Sequence, residues 1–131
     1  MLICGLGFYE LFINGKRVTK GALAPYISNP DHIIYYDCYD IKDELAAGEN
    51  AVGVCLGNGF QNNPGGYVWE FDKARWRSAP QVALRLSVTF GDDGDTFTIE
   101  TDETFKTSPS PIINDDYRNG EYYDARNEQP D

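Results

Sequence analysis

Between residues 111 and 126 the chain carries Asp115, Asp116, Glu121 and Asp124 together with Arg118, Arg126, Tyr117, Tyr122 and Tyr123. Carboxylates and guanidinium groups are rarely fully buried unless paired, so the segment reads as a polar surface. Two chemistries suit these residue types. A carboxylate pair such as Asp116 and Glu121 can act as general acid and base on a glycosidic bond, provided the two groups sit at a fixed separation across it. Alternatively, Asp115, Asp116, Asn119 and Glu121 exchange hydrogen bonds with ring hydroxyls while the Tyr117 face covers the apolar side of a sugar ring. A passive solvated edge is the third reading, because polar terminal segments commonly hold no ligand.

A second concentration lies between Asn58 and Pro80. Gly59, Asn62, Asn63, Pro64, Gly65 and Gly66 interrupt regular structure there, while Phe60, Tyr67, Trp69, Phe71 and Trp76 accumulate. A loop of this length and character is a binding loop or a flap over the core. Each ring taken singly is a candidate for burial, since an aromatic side chain covers a large area against a sheet. As a group they add Trp69 and Trp76 to Tyr117 as candidate stacking surfaces for a sugar.

Other chemistries find less support. Cys4, Cys38 and Cys55 contain no C-x-x-C pair and share the chain with one histidine, His32, so no zinc site is expected. Each cysteine lies among apolar or aromatic neighbours and reads as a small buried hydrophobe, with one disulfide open as an alternative. Gly5-Leu6-Gly7 and Leu56-Gly57-Asn58-Gly59 do not complete a dinucleotide-binding glycine motif and no helix follows them. Asp92, Asp93 and Asp95 lack the 12-residue spacing and closing glutamate of an EF-hand loop, so they read as a hairpin turn. A net charge of −10 over 131 residues opposes any phosphate backbone, and nucleic acid is not an expected partner. No apolar run reaches the ~18 residues of a membrane helix, so no membrane partner is expected either.

The elements that must position these groups are short strands. Phe8 to Ile13 predicts a strand, Asn14-Gly15 the positive-φ pair of a two-residue hairpin turn, and Lys16-Arg17-Val18 the return. Ile33 to Ile41 is β-branched and aromatic and predicts another strand, followed by at most one or two helical turns before Gly48. Ala51 to Leu56 is a compact apolar strand. Val82, Leu84, Leu86, Val88 and Phe90 alternate with polar positions, and Phe97 and Ile99 continue the pattern after the Gly91 to Gly94 turn. Strands of this spacing predict an all-β, antiparallel β-sandwich or jelly roll, in one domain spanning 1–131.

Taken in order, Phe8 to Val18, Leu23-Ala24-Pro25, Gly48 to Phe60, Thr101 to Lys106, and Ser110 through Arg126 resemble the N-terminal β-sandwich domain of bacterial α-L-rhamnosidases. The resemblance implies a galactose-binding-domain-like sandwich and a non-catalytic piece of a larger glycoside hydrolase. Rhamnoside cleavage in that family belongs to a separate (α/α)₆ barrel later in the polypeptide. Implied partners are therefore that catalytic barrel and a rhamnose-containing glycan. No cofactor is expected; calcium enters because some related sandwich modules bind terminal rhamnose with its help, but Arg75 and Arg77 stand where oxygen donors would be wanted. Localisation stays open, with a periplasmic or secreted parent as the expectation. The rivals are an interdomain spacer without a ligand and a self-contained glycosidase.

Overall fold

The computed structural model describes residues 1–63, 69–91 and 94–129. It is an antiparallel all-β sandwich. One sheet has four strands in the order β4-β1-β6-β7, formed by β1 (Leu2–Leu6), β4 (Asp37–Cys38), β6 (Gln81–Phe90) and β7 (Asp95–Glu100). The other has the order β3-β2-β5, formed by β2 (Phe8–Ile13), β3 (Lys16–Arg17) and β5 (Val52–Gly57). A separate hairpin pairs β8 (Ile112–Asp116) with β9 (Gly120–Tyr123). Helical structure among the described residues is confined to 3-10 turns at Lys42–Glu44, Phe71–Lys73 and Ala125–Asn127.

The period-2 pattern explains the core. Tyr9, Leu11 and Ile13 point inward from β2 and meet Ile3, Leu84 and Leu86 from the four-stranded sheet, with Ile41 closing one side. Asn14 and Gly15 both have positive φ, 51° and 76°, as the two-residue turn between β2 and β3 requires. Asn14 has a further role, because its amide oxygen accepts the Ala51 N–H at 2.9 Å and its nitrogen donates to the Glu44 carbonyl. Leu23-Ala24-Pro25 stops the next strand at a single bridge, in which the Tyr9 N–H donates to the Ala24 carbonyl at 2.9 Å.

The chain passes between sheets at Gly7. Leu2 to Ile13 is one nearly unbroken strand run, and Gly7, with φ 108°, is the point at which it leaves the first sheet for the second. A Cβ at this position would collide with the Gly57 carbonyl oxygen, so the switch needs glycine for both conformation and space. Gly5 admits the Tyr9 ring from the facing sheet, since an added Cβ would lie 2.7 Å from Tyr9 Cδ1. The Tyr9 hydroxyl then crosses the sandwich and donates to Asp37 on β4, and it contacts the Tyr39 hydroxyl at 3.1 Å.

Three expectations need correction. Of Ile33 to Ile41 only Asp37–Cys38 pairs as a strand, and Ile33, Ile34, Tyr35 and Tyr36 are exposed. Strand propensity is expressed only where an edge can receive the residue, and β1 offers β4 a two-residue register. Phe90 and Phe97 are also exposed, because the inward face of the β6–β7 hairpin is covered only as far as Val88 and Ile99. Cys38 lies exposed, while Cys4 and Cys55 are half-buried, and all three are free thiols. The inner part of the Gly91 to Gly94 turn and the loop residues Pro64, Gly65, Gly66 and Tyr67 lie outside the described residues.

Replacing Tyr9 with Phe keeps the ring in the core but strands the Asp37 carboxylate without its cross-sheet donor. The expected cost is about 1–3 kcal/mol of unfolding free energy, read from urea denaturation with an unchanged m-value.

Candidate functional site

The site is assembled where β5 ends. Gly57-Asn58-Gly59 passes against Gly7 and Phe8 so closely that a Cβ at Gly59, whose φ is 50°, would sit 2.9 Å from the Phe8 nitrogen. From this crossing a row of rings runs outward. Phe8 and Phe60 meet edge to face at 5.5 Å, Phe60 contacts Phe71 at 5.5 Å and Tyr117 at 4.7 Å, and Phe71 touches Trp69 and Trp76, each at 5.8 Å. These separations fall in the range that aromatic pairs favour. The outer member, Trp69, is 56 % exposed and lies 6.4 Å from Tyr117 with the two rings within 15° of parallel. The Arg118 guanidinium rests over the Trp69 ring at 4.7 Å and the Tyr117 ring at 5.6 Å.

The β8–β9 hairpin holds this cluster in place through its carboxylates. Asp115 accepts the Asn58 backbone N–H at 2.7 Å through Oδ2 and the Asn58 amide nitrogen at 2.6 Å through Oδ1. Asn58 in turn fixes Asn62, whose amide donates to Asn58 Oδ1 at 2.7 Å. Asp116 is 7 % exposed and organises the turn that carries Tyr117 and Arg118. Its Oδ1 accepts the backbone N–H groups of Arg118 at 2.7 Å and Asn119 at 3.1 Å, and its Oδ2 accepts the Asn119 amide at 3.1 Å. The Arg118 N–H above all, opposed by burial and helped by Asn119, holds the Asp116 carboxyl below its ordinary range.

The remaining sequence-predicted residues take different positions. Glu121 lies on β9 directly across from Asp115, exposed, in a like-charge cross-strand pair. Trp76 is half-buried, its carbonyl accepting the Gln61 amide at 2.6 Å, and its ring lines a shallow groove with Phe8, Phe60, Tyr26, Ile34 and Tyr35. Trp69, Tyr117 and the turn residues are thus brought together, while Trp76 belongs to the groove. Cys55 is pushed above its usual thiol range by burial, then by the charges of Glu10, Glu121 and Asp115, which disfavours a thiolate nucleophile. Among the described residues no three His, Cys, Asp or Glu side chains converge on one point, and Arg75 and Arg77 are exposed. The sequence alone assigns no site role to Asn58, Gln61 or Arg118. The signal for Asn58 was a polar residue framed by two glycines at a strand end.

A family model described as the α-L-rhamnosidase N-terminal domain matches residues 1–131. The chain belongs to this family. An α-L-rhamnosidase of Formosa agariphila is 40% identical over 98% of the chain, and one of Streptomyces avermitilis is 30% identical over 94% of it. The chain spans only 14% and 12% of the lengths of those two relatives. Among solved structures, the native α-L-rhamnosidase of Aspergillus terreus is similar with a TM-score of 0.87 at 35% identity, covering 98% of this chain and 15% of that one. The S. avermitilis α-L-rhamnosidase complexed with L-rhamnose is similar with a TM-score of 0.84 at 28% identity, covering 97% and 12%. The rhamnosidase N-terminal domain fold and the resemblance in sequence therefore agree.

The lowered Asp116 carboxyl stabilises the folded chain fully above about pH 4, and the contribution is lost as pH falls through its folded-state value. Asp116→Asn is expected to lower the melting temperature by several degrees at pH 7, with the difference from the parent chain closing as pH drops below 4. Thermal unfolding followed by circular dichroism across pH 2.5 to 7 checks both the sign and the window.

Proposed function

We propose that this rhamnosidase N-terminal domain is a non-catalytic module that packs against the remainder of a longer α-L-rhamnosidase chain, the catalytic barrel included. The observation that carries this reading is the exposed apolar stretch between residues 23 and 36. Leu23, Tyr26, Ile27, Ile34, Tyr35 and Tyr36 all lie open, Tyr26 at 84% of its free area. Large contiguous apolar exposure on a globular domain marks an interaction surface. The groove beneath it, closed by Phe60 and Trp76, gives a partner segment something to key into. The occupant is the rest of the rhamnosidase chain, because the matched relatives extend far beyond the length of this domain.

Acid–base chemistry by the hairpin carboxylates has less support. Asp116 is buried in its own turn and Asp115 is tied to Asn58, so neither is poised across an open cleft. A second reading, assistance in recognising a rhamnose-containing glycan, is favoured by one observation: Trp69 presents an exposed ring beside Tyr117.

Two measurements test the packing reading. The 131-residue chain is expected to release no nitrophenol from an aryl α-L-rhamnoside, and turnover by it would overturn the non-catalytic assignment. In hydrogen–deuterium exchange, residues 23–36 are expected to be at least tenfold better protected within a full-length rhamnosidase than in the isolated chain. Equal exchange in both would place the docking surface elsewhere.

A further inference from the structure

The Arg118 guanidinium lies against two aromatic rings, and its charge also acts on the Asp116 carboxylate. It lies 4.7 Å over Trp69 and 5.6 Å over Tyr117, exposed, on the turn that Asp116 anchors two residues earlier. The Asp116 oxygens nearest to it are already engaged by the turn amides. The result is an exposed fork of N–H donors set beside two nearly parallel aromatic faces.

We propose that Trp69, Tyr117 and Arg118 form a subsite for a neutral saccharide, in which Arg118, and not the neighbouring carboxylates, makes the polar contact. This rests on the glycan-recognition reading above and names the residues responsible for it. The rings offer an apolar surface to the C–H face of a pyranose, and the planar guanidinium donates in parallel to two adjacent hydroxyl oxygens. Arg alone would suit a carboxylate or phosphate equally well. The setting selects against both, since the chain carries a net charge of −10 and Asp115, Asp116 and Glu121 crowd the same hairpin. An uncharged ligand with vicinal hydroxyls and one apolar side is what remains, and a 6-deoxyhexose adds a methyl group to that side.

The turn that presents Arg118 also explains why the acidic residues are there. Asp116 fixes the backbone of Arg118 and Asn119, and through it the height of the guanidinium over the rings. Phe60 and Phe71 support the platform from beneath through their contacts with Tyr117 and Trp69. Trp69, being exposed, can be truncated without opening the core, and Arg118 is likewise at the surface.

Titration of the chain with L-rhamnose, followed by calorimetry and by indole chemical shifts, tests the subsite. Millimolar binding is expected, with the Trp69 indole resonance moving on saturation. Arg118→Gln and Trp69→Ala are each expected to weaken the dissociation constant about tenfold or more, consistent with a lost charged hydrogen bond, at an unchanged melting temperature. Arg118→Lys should recover part of the loss, and Trp76→Phe should leave binding intact. If the parent chain binds rhamnose and neither Arg118→Gln nor Trp69→Ala alters it, the subsite is wrong while glycan recognition stands. If the parent chain shows no heat and no shift at 50-fold the expected millimolar range, recognition by this domain and the subsite fall together, and the packing function is untouched.

Discussion

The structure depends on one close approach, that of Gly7 to the Gly57-Asn58-Gly59 corner. A single strand run supplies both sheets, and it can turn from one to the other only where no side chain stands between its backbone and that of β5. The approach brings two backbones together but does not itself satisfy the amide of Asn58. Asp115 does so from outside the sandwich, and its Oδ2 also lies 3.0 Å from where a Cβ on Gly57 would be. The hairpin that follows the sandwich is thereby locked to the place where the sandwich changes sheets. A buried or half-buried N–H left without an acceptor costs far more than the net gain of an ordinary hydrogen bond, so this link is held firmly.

From that link the remaining architecture follows. Phe8 and Phe60 flank the crossing, and the ring row they begin ends at the exposed Trp69 beside Tyr117 and Arg118. The acidic character of residues 111 to 126 divides between two tasks. Asp115 and Asp116 hold backbone, and Asp124 caps the final 3-10 turn by accepting from the Arg126 N–H and pairing with its guanidinium at 2.6 Å. Side-chain carboxylates that look like ligands in a linear sequence act here largely as acceptors for the protein's own amides, which is where short acidic side chains compete best.

Much of this was legible in the residues. The Asn14-Gly15 turn, the alternation in β6 as far as Val88 and the glycine-framed end of β5 each follow from local rules of pleat and turn, and the structure matches them. What was not legible depended on partners distant in sequence. Ile33 to Tyr36 has the composition of a strand, but antiparallel pairing on the outer edge of β1 stops at Leu2 and Ile3, opposite Cys38 and Asp37, and does not extend back to these residues. Asp116 belongs to a segment whose composition marks a polar surface, and only the turn geometry reveals that three donors from Arg118 and Asn119 enclose it. Arg118 has no legible role in the sequence, because a lone arginine beside a tyrosine says nothing until a tryptophan 49 positions earlier in the chain lies under it.

A double-mutant cycle between Asn58 and Asp115 tests most directly the claim that the acidic hairpin is a strut for the sheet crossing. Unfolding free energies of Asn58→Ala, Asp115→Ala and the double variant are compared with that of the parent chain. The account predicts a favourable coupling of about 0.5–3 kcal/mol, as expected for residues joined by direct hydrogen bonds. Strictly additive losses would contradict it and leave Asp115 with no energetic tie to the Asn58 side chain.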